Sequence, residues 1–130
     1  MHAVVVNKRL DKKMKPMNRI RWSENLRNRR TYRVSQRLIQ DRPGVELQPV
    51  TFRRGEDLSA AEPGTRAMVE HLLANAHIAS VEISRFDIKV VVEDFSFGRH
   101  ALHMHCLSTI HQYLWGQDAD VLVTQETFLD

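Results

Sequence analysis

The sequence predicts an α+β domain, a single small sandwich with elements in the order β-β-α-β-β-α and both helices on one face of the sheet. Three observations support this class. The 130 residues suit one domain. Two stretches of alternating apolar and polar residues predict strand pairs, and each pair precedes a stretch with apolar residues at helical spacing. Strand pairs alternating with single helices are typical of one sheet covered on one side.

The first strand pair is predicted after residue 30. From Tyr32 to Leu38, apolar and polar residues alternate, which indicates a half-buried strand. Residues 41–44 read Asp-Arg-Pro-Gly and predict a turn. A second strand is predicted over 45–52, and Pro49 within it favours an edge position or a bulge.

A helix and a β-hairpin follow. Pro63 suits the first turn of a helix, and apolar residues recur at helical spacing as far as Ala76. The stretch from Ile78 to Glu93 contains two alternating apolar runs on either side of residues 84–87. This pattern predicts a β-hairpin.

The last part of the domain is predicted to be a helix and a short strand. Ser96 is suited to cap a helix that reaches Trp115, and Gly116 just beyond it is a typical stop. Cys106 falls on the apolar arc of this helix. The apolar residues 121–123 allow a short final strand.

Charge is distributed unevenly along the chain. Residues 1–42 hold 13 Lys and Arg against three acids, a net of +10, whereas residues 43–130 hold six against 13, a net of −7. A basic segment attached to an acidic domain is typical of a tail that binds a polyanion. Phosphate is the expected polyanion, because its neutralisation releases condensed counterions.

Residues 1–30 lack a usable apolar period and predict a basic arm, extended or partly disordered, ahead of a single α+β domain at 31–130. Trp22 lies among arginines, which suits stacking on a base beside phosphate contacts. The arm is therefore predicted to bind nucleic acid, with RNA favoured, through Lys8, Arg9, Lys12, Lys13, Lys15, Arg19, Arg21, Trp22, Arg27, Arg29 and Arg30. The alternative is a solvated tail with Trp22 packed against the domain.

The apolar residues in the middle of the chain have a distinctive spacing, Leu72-Leu73, Ile78, Val81, Ile88 and Val90. With Pro43-Gly44 and Pro63 upstream, this spacing resembles the N-terminal domain of Nfu/NifU-like iron–sulfur scaffold proteins over about residues 31–115. The resemblance implies the fold and an adaptor role.

The chain also departs from that family. His77 stands before Ile78, where the family usually has glycine. Cluster binding in the family belongs to a separate domain with a Cys-x-x-Cys motif, and this chain has one cysteine. Since an iron–sulfur cluster needs several thiolates, cluster binding is not carried over.

No cofactor, catalytic residue or metal site is predicted. The sequence lacks the Gly-x-Ser-x-Gly, Gly-x-x-x-x-Gly-Lys and Gly-x-Gly-x-x-Gly motifs. The one candidate metal pair is His100 and His103, one helical turn apart. A structural zinc site needs four ligands, and this helix offers two.

The sequence thus predicts a non-enzymatic interaction module whose basic arm binds nucleic acid while its acidic body binds a protein partner. The alternative is a protein-binding adaptor or assembly component without nucleic-acid contact, with an Nfu-like accessory role or as a virion or inhibitor subunit. No apolar run approaches the length that a bilayer requires. The single cysteine fits a reducing compartment, and a cytoplasmic location is expected.

Overall fold

A computed structural model describes residues 3–4, 18–26, 28–40, 43–44, 47–93 and 99–128. These residues form an α+β domain with one mixed sheet and two helices. In chain order the elements are β1 (Ala3–Val4), β2 (Asn18–Leu26), β3 (Arg29–Val34), β4 (Val50–Arg53), α1 (Pro63–Leu73), β5 (Ile78–Ile83), β6 (Asp87–Val92), α2 (Arg99–Trp115) and β7 (Val121–Gln125).

Within the described ranges, the sheet has seven strands in the order β1-β7-β2-β3-β6-β5-β4. β7 is parallel to both of its neighbours, and all other adjacent pairs are antiparallel. β6 and β7 therefore run in the same direction, and α2 is the crossover that joins them past β2 and β3.

Both helices cover one face of the sheet, as predicted. The covered face presents apolar side chains from every strand between β7 and β4, and these form one buried cluster with Met68 and Leu72 of α1 and Leu102 and Ile110 of α2. Several of these side chains are fully buried, among them Tyr32. Burial of such side chains is the main stabilising contribution to a fold of this kind.

The predicted hairpin and both helices are confirmed, with corrections at some ends. The first strand of the predicted domain ends at Val34 rather than Leu38, although Leu38 is buried and its N–H donates to the Arg85 carbonyl. The second begins at Val50, directly after Pro49, whose missing N–H and fixed φ disfavour a longer strand. The predicted cap Ser96 lies outside the described residues.

The predicted boundary between arm and domain is wrong. Residues 18–26 form β2, which lies inside the sheet between β7 and β3. The cause is that β2 has only three apolar residues, Ile20, Trp22 and Leu26, and of these Ile20 and Trp22 pair with Val34 and Tyr32 of β3. Residues 29 and 30 likewise belong to β3, so the predicted domain starts too late.

A single arginine satisfies the carbonyl groups that follow α1. Helices leave their last carbonyls without intrahelical partners. Arg54, in the turn after β4, donates from Nε to the Leu73 carbonyl at 3.1 Å, and from Nη2 to the Asn75 and Ile78 carbonyls at 3.0 and 2.7 Å. This side chain therefore ties the β4 turn to the α1–β5 connection.

We expect Arg54→Ala to lower the free energy of unfolding by about 2 kcal/mol, because partly buried carbonyls lose a charged donor. The matched control is Arg53→Ala. The side chain of Arg53 is 66% exposed and contacts Glu56 at 4.0 Å, so its loss should cost no more than about 0.5 kcal/mol. Urea unfolding followed by circular dichroism measures both values. Equal losses in the two variants would contradict the role assigned to Arg54.

Candidate nucleic-acid interface

The face of the sheet opposite the helices carries the arginines of β2 and β3. Side chains alternate between the two faces of a strand. Arg19 and Arg21 of β2 therefore lie on the same face as Arg29 and Arg33 of β3, while Ile20 points to the helices. We call this surface the open face, since neither helix packs on it.

Cations outnumber acids on the open face. Among the described residues of the sheet and the segment after β7, six cations and three acids share this surface, a net of +3. The cations are Arg19, Arg21, Arg29, Arg33, Arg53 and Lys89, and the acids are Glu82, Asp87 and Glu126. The excess of positive charge is concentrated on β2 and β3.

The strand register places these side chains in rows across the sheet, and ion pairs link several of them. Arg21 and Arg33 are register partners, and Asp87 is the next partner in the row. Arg33 donates from Nε and Nη2 to the two carboxylate oxygens of Asp87 at 2.8 and 3.1 Å. Glu126 lies 3.3 Å from Arg21 and 3.7 Å from Arg19. Two like charges side by side repel each other, and these carboxylates reduce that repulsion.

The paired arginines keep the capacity to bind a further anion. A guanidinium has five N–H donors, and one carboxylate engages at most two of them. The side chains of Arg19 and Arg21 are 45% and 36% exposed. Exposed ion pairs are weak, because water and salt screen them. A phosphate can therefore replace or share these carboxylate contacts.

The residues after β7 cross part of the open face. The Glu126 N–H donates to the Trp22 carbonyl, which continues the parallel pairing with β2. The Phe128 N–H donates to the Ser23 hydroxyl, and the guanidinium carbon of Arg33 lies 4.2 Å from the centre of the Phe128 ring. Phe128 thus holds Arg33 in place from above.

The structure separates the predicted nucleic-acid residues. Arg19, Arg21 and Arg29 lie on the open face, with Arg29 at the far end of β3 from the other two. Lys8, Arg9, Lys12, Lys13, Lys15 and Arg27 lie outside the described residues.

Trp22 and Arg30 correct the prediction, because both lie on the helix-covered side. The Trp22 ring packs on His103 with centroids 4.0 Å apart, which agrees with the alternative that this ring contacts the domain. Arg30 is 8% exposed and donates to the Arg99 carbonyl at 3.0 Å. Neither residue lies on the same surface as Arg19 and Arg21.

A cleft that the sequence analysis missed lies at the hairpin end of the open face. Its volume is about 470 Å³, and its lining includes Arg21, Arg33, Arg85 and Phe86. The turn that carries Arg85 and Phe86 is held against β3 and the segment after it. The N–H groups of Val34 and Leu38 donate to the Phe86 and Arg85 carbonyls, both at 2.8 Å. No local signal marks this cleft, because its residues come from three separate stretches of sequence.

The two histidines of the candidate metal pair lie in different surroundings. His103 is buried between Trp22 and Tyr32, and its Nδ1 lies 3.0 Å from the Tyr32 hydroxyl. His100 is exposed on the first turn of α2. Within the described part of the chain, no three His, Cys, Asp or Glu residues are grouped so that they could hold a metal ion.

Burial keeps the polar groups around His103 uncharged. Desolvation, assisted by the positive charge of Arg30, lowers the pKa of His103 to about 4. Desolvation also raises the pKa of the Cys106 thiol to about 11, and that of Tyr32 well above its ordinary value. A thiol in this state is a poor nucleophile, because the thiolate is the reactive form.

The pKa of His103 predicts a loss of stability in mild acid. The folded-state pKa of about 4 lies below the unfolded value of 6.5, so between these values the unfolded chain takes up a proton that the folded protein excludes. The free energy of unfolding should fall by about 2 to 3 kcal/mol as the pH drops from 6.5 to 4, with no further contribution below pH 4. Urea unfolding of the wild type and His103→Gln at several pH values isolates this contribution. Parallel stability curves for the two proteins would contradict it.

Comparison with known proteins finds no relative of this chain. No family model, curated protein or solved structure matches the chain. In the part of the chain that the structure describes, neither helix has the length and apolar character needed to cross a lipid bilayer.

Proposed function

We propose that this protein is a non-enzymatic nucleic-acid-binding module that contacts phosphates through the open face of its sheet. The excess of cations over acids on that face is the observation that carries the proposal. Lys and Arg side chains that reach phosphates supply most of the sequence-independent affinity for nucleic acid. We favour RNA as the partner and the cytoplasm as the location.

The spacing of the arginines supports phosphate contacts. Arg21 and Arg33 are directly opposed on adjacent strands, and directly opposed side chains lie about 5 Å apart at Cβ. Two arginines with Cβ atoms this close can direct their guanidinium groups to one phosphate or to two consecutive ones, because each group is a planar fork of donors. Binding of an anion also removes the residual repulsion between them.

We propose that the lysines and arginines at positions 8–15 also contact phosphates. They precede Asn18, where β2 begins, so the basic sequence leads directly into the strand that carries Arg19 and Arg21. We assign to them the non-specific part of the affinity. The acidic remainder of the chain is assigned to a protein partner.

One observation favours the second candidate, a protein-binding adaptor of the kind that the Nfu-like spacing implies. A cavity of about 190 Å³ lies between β4 and the start of α1, with Val50, Phe52, Ala61 and Ile83 in its lining. β4 is an edge strand of the sheet. An apolar recess beside an edge strand suits an extended peptide with an apolar side chain.

Fluorescence anisotropy with labelled RNA and DNA oligonucleotides at several salt concentrations tests the nucleic-acid proposal. We expect the logarithm of the binding constant to fall with the logarithm of salt, by about 0.7 to 0.9 for each phosphate contacted. Arg21→Gln and Arg19→Gln should each weaken binding and reduce this slope by about 1. The control is Arg66→Gln, which removes the same charge from the exposed side of α1 and should leave the slope unchanged.

A binding constant that does not change with salt, or equal effects of Arg21→Gln and Arg66→Gln, would contradict the role of the open face. Replacement of the five cations Lys8, Arg9, Lys12, Lys13 and Lys15 by Gln in the full chain separates the contribution of the preceding segment. Removal of residues 1–30 does not serve this purpose, because it deletes β2 and the start of β3.

A further inference from the structure

We propose that the cleft at the hairpin end of the open face binds one nucleotide of a single-stranded nucleic acid, with its base stacked on Phe86 and its phosphate bound by Arg21 and Arg85. This inference rests on the proposed function and names the form of nucleic acid that is bound. It also assigns to Phe86 a role other than charge neutralisation, namely stacking on a base.

Phe86 provides an aromatic surface on which a base can stack. Phe86 is 37% exposed, and Tyr113, at 36%, is the other exposed large apolar side chain among the described residues. Of these two rings, only Phe86 lies in the cleft, which is lined by three arginines and Asp87. The guanidinium carbon of Arg37 lies 5.5 Å from the centre of the Phe86 ring, so a base stacks on the opposite face or takes the place of Arg37. A base can stack on such a ring whatever its sequence, because every base has a π-face.

Arginines beside the Phe86 ring provide contacts for a phosphate. Arg21, Arg33 and Arg85 line the same cleft as Phe86. Arg33 is held by both oxygens of Asp87, which also lines the cleft, and by the Phe128 ring, so this ion pair adds little net charge and the phosphate is left to Arg21 and Arg85. Arg21 belongs to β2, and Arg85 belongs to the turn between β5 and β6. An aromatic surface beside cations suits a nucleotide, whose base stacks and whose phosphate is anionic.

The shape of the cleft favours a single strand over a duplex. Its volume of about 470 Å³ lies within the range of small-molecule sites. A base reaches the Phe86 ring only when it leaves the stack of its neighbours, and unstacking is least costly in a single strand. The backbone hydrogen bonds from Val34 and Leu38 hold the hairpin turn in place, so little ordering is required on binding.

The test compares Phe86→Ala with Tyr113→Ala in the full chain. The probes are labelled single-stranded RNA and DNA 12-mers and duplexes of the same sequences, with anisotropy as the readout. Phe86→Ala should weaken single-strand binding by about 5- to 150-fold and leave duplex binding unchanged. Tyr113→Ala, which removes an equally exposed ring from α2, should change neither.

Three further variants separate stacking from folding and from charge. Phe86→Leu keeps the apolar bulk of the side chain without the aromatic face, so it should fold and yet lose single-strand binding as Phe86→Ala does. Phe86→Trp should retain binding, and the oligonucleotide should quench its fluorescence beyond the change seen with the wild type. Arg85→Gln should reduce the salt slope by about 1, whereas Phe86→Leu should leave the slope unaltered.

The outcomes distinguish the two proposals. If the wild type binds neither single strands nor duplexes, the proposed function fails and this inference fails with it. If the wild type binds single strands and Phe86→Leu binds them equally well, the inference is overturned while the proposed function stands. Equal loss of single-strand and duplex binding in Phe86→Leu also overturns it.

Discussion

The register between β2 and β3 is the constraint on which the rest of the structure depends. It directs Ile20 and Trp22 to the helices together with Tyr32 and Val34, and it directs Arg19 and Arg21 to the opposite side. A shift of one residue would exchange the two faces and bury the arginines in the apolar core. Burial of unpaired charges is costly. Only the observed register therefore places the apolar residues of both strands in the core and leaves the arginines at the surface. The positive surface is therefore a consequence of how the core forms.

Much of the fold could be predicted from the sequence because its apolar residues recur at regular intervals. The hairpin formed by β5 and β6 and the start of α1 follow directly from such intervals, although α1 ends at Leu73 and not at Ala76. β2 could not be recognised in the same way. It has three apolar residues among polar and charged ones, and the partner strand that makes the pattern meaningful begins only after the turn at residue 28.

The candidate site was predictable only in part. Charge alone identified Arg19 and Arg21, whereas the choice of face for Trp22 depends on its contact with His103, a residue of α2. The positions of Arg85 and Phe86 could not be foreseen either. The sequence predicts their turn, but only the three-dimensional pairing of β3 with β6 brings that turn beside the arginines of β2.

β7 has a position in the sheet that affects the order of assembly. It lies between β1 and β2, although it is the last strand in the chain. Until residues 121–125 arrive, the outer edge of β2 has unpaired backbone groups, and β1 has no strand to join. Exposed strand edges can pair with other chains, and they do so most readily during folding. If the rest of the core assembles first, the unpaired edge of β2 is exposed beside the arginines. Repulsion between the arginines of different molecules then discourages aggregation until β7 pairs with that edge.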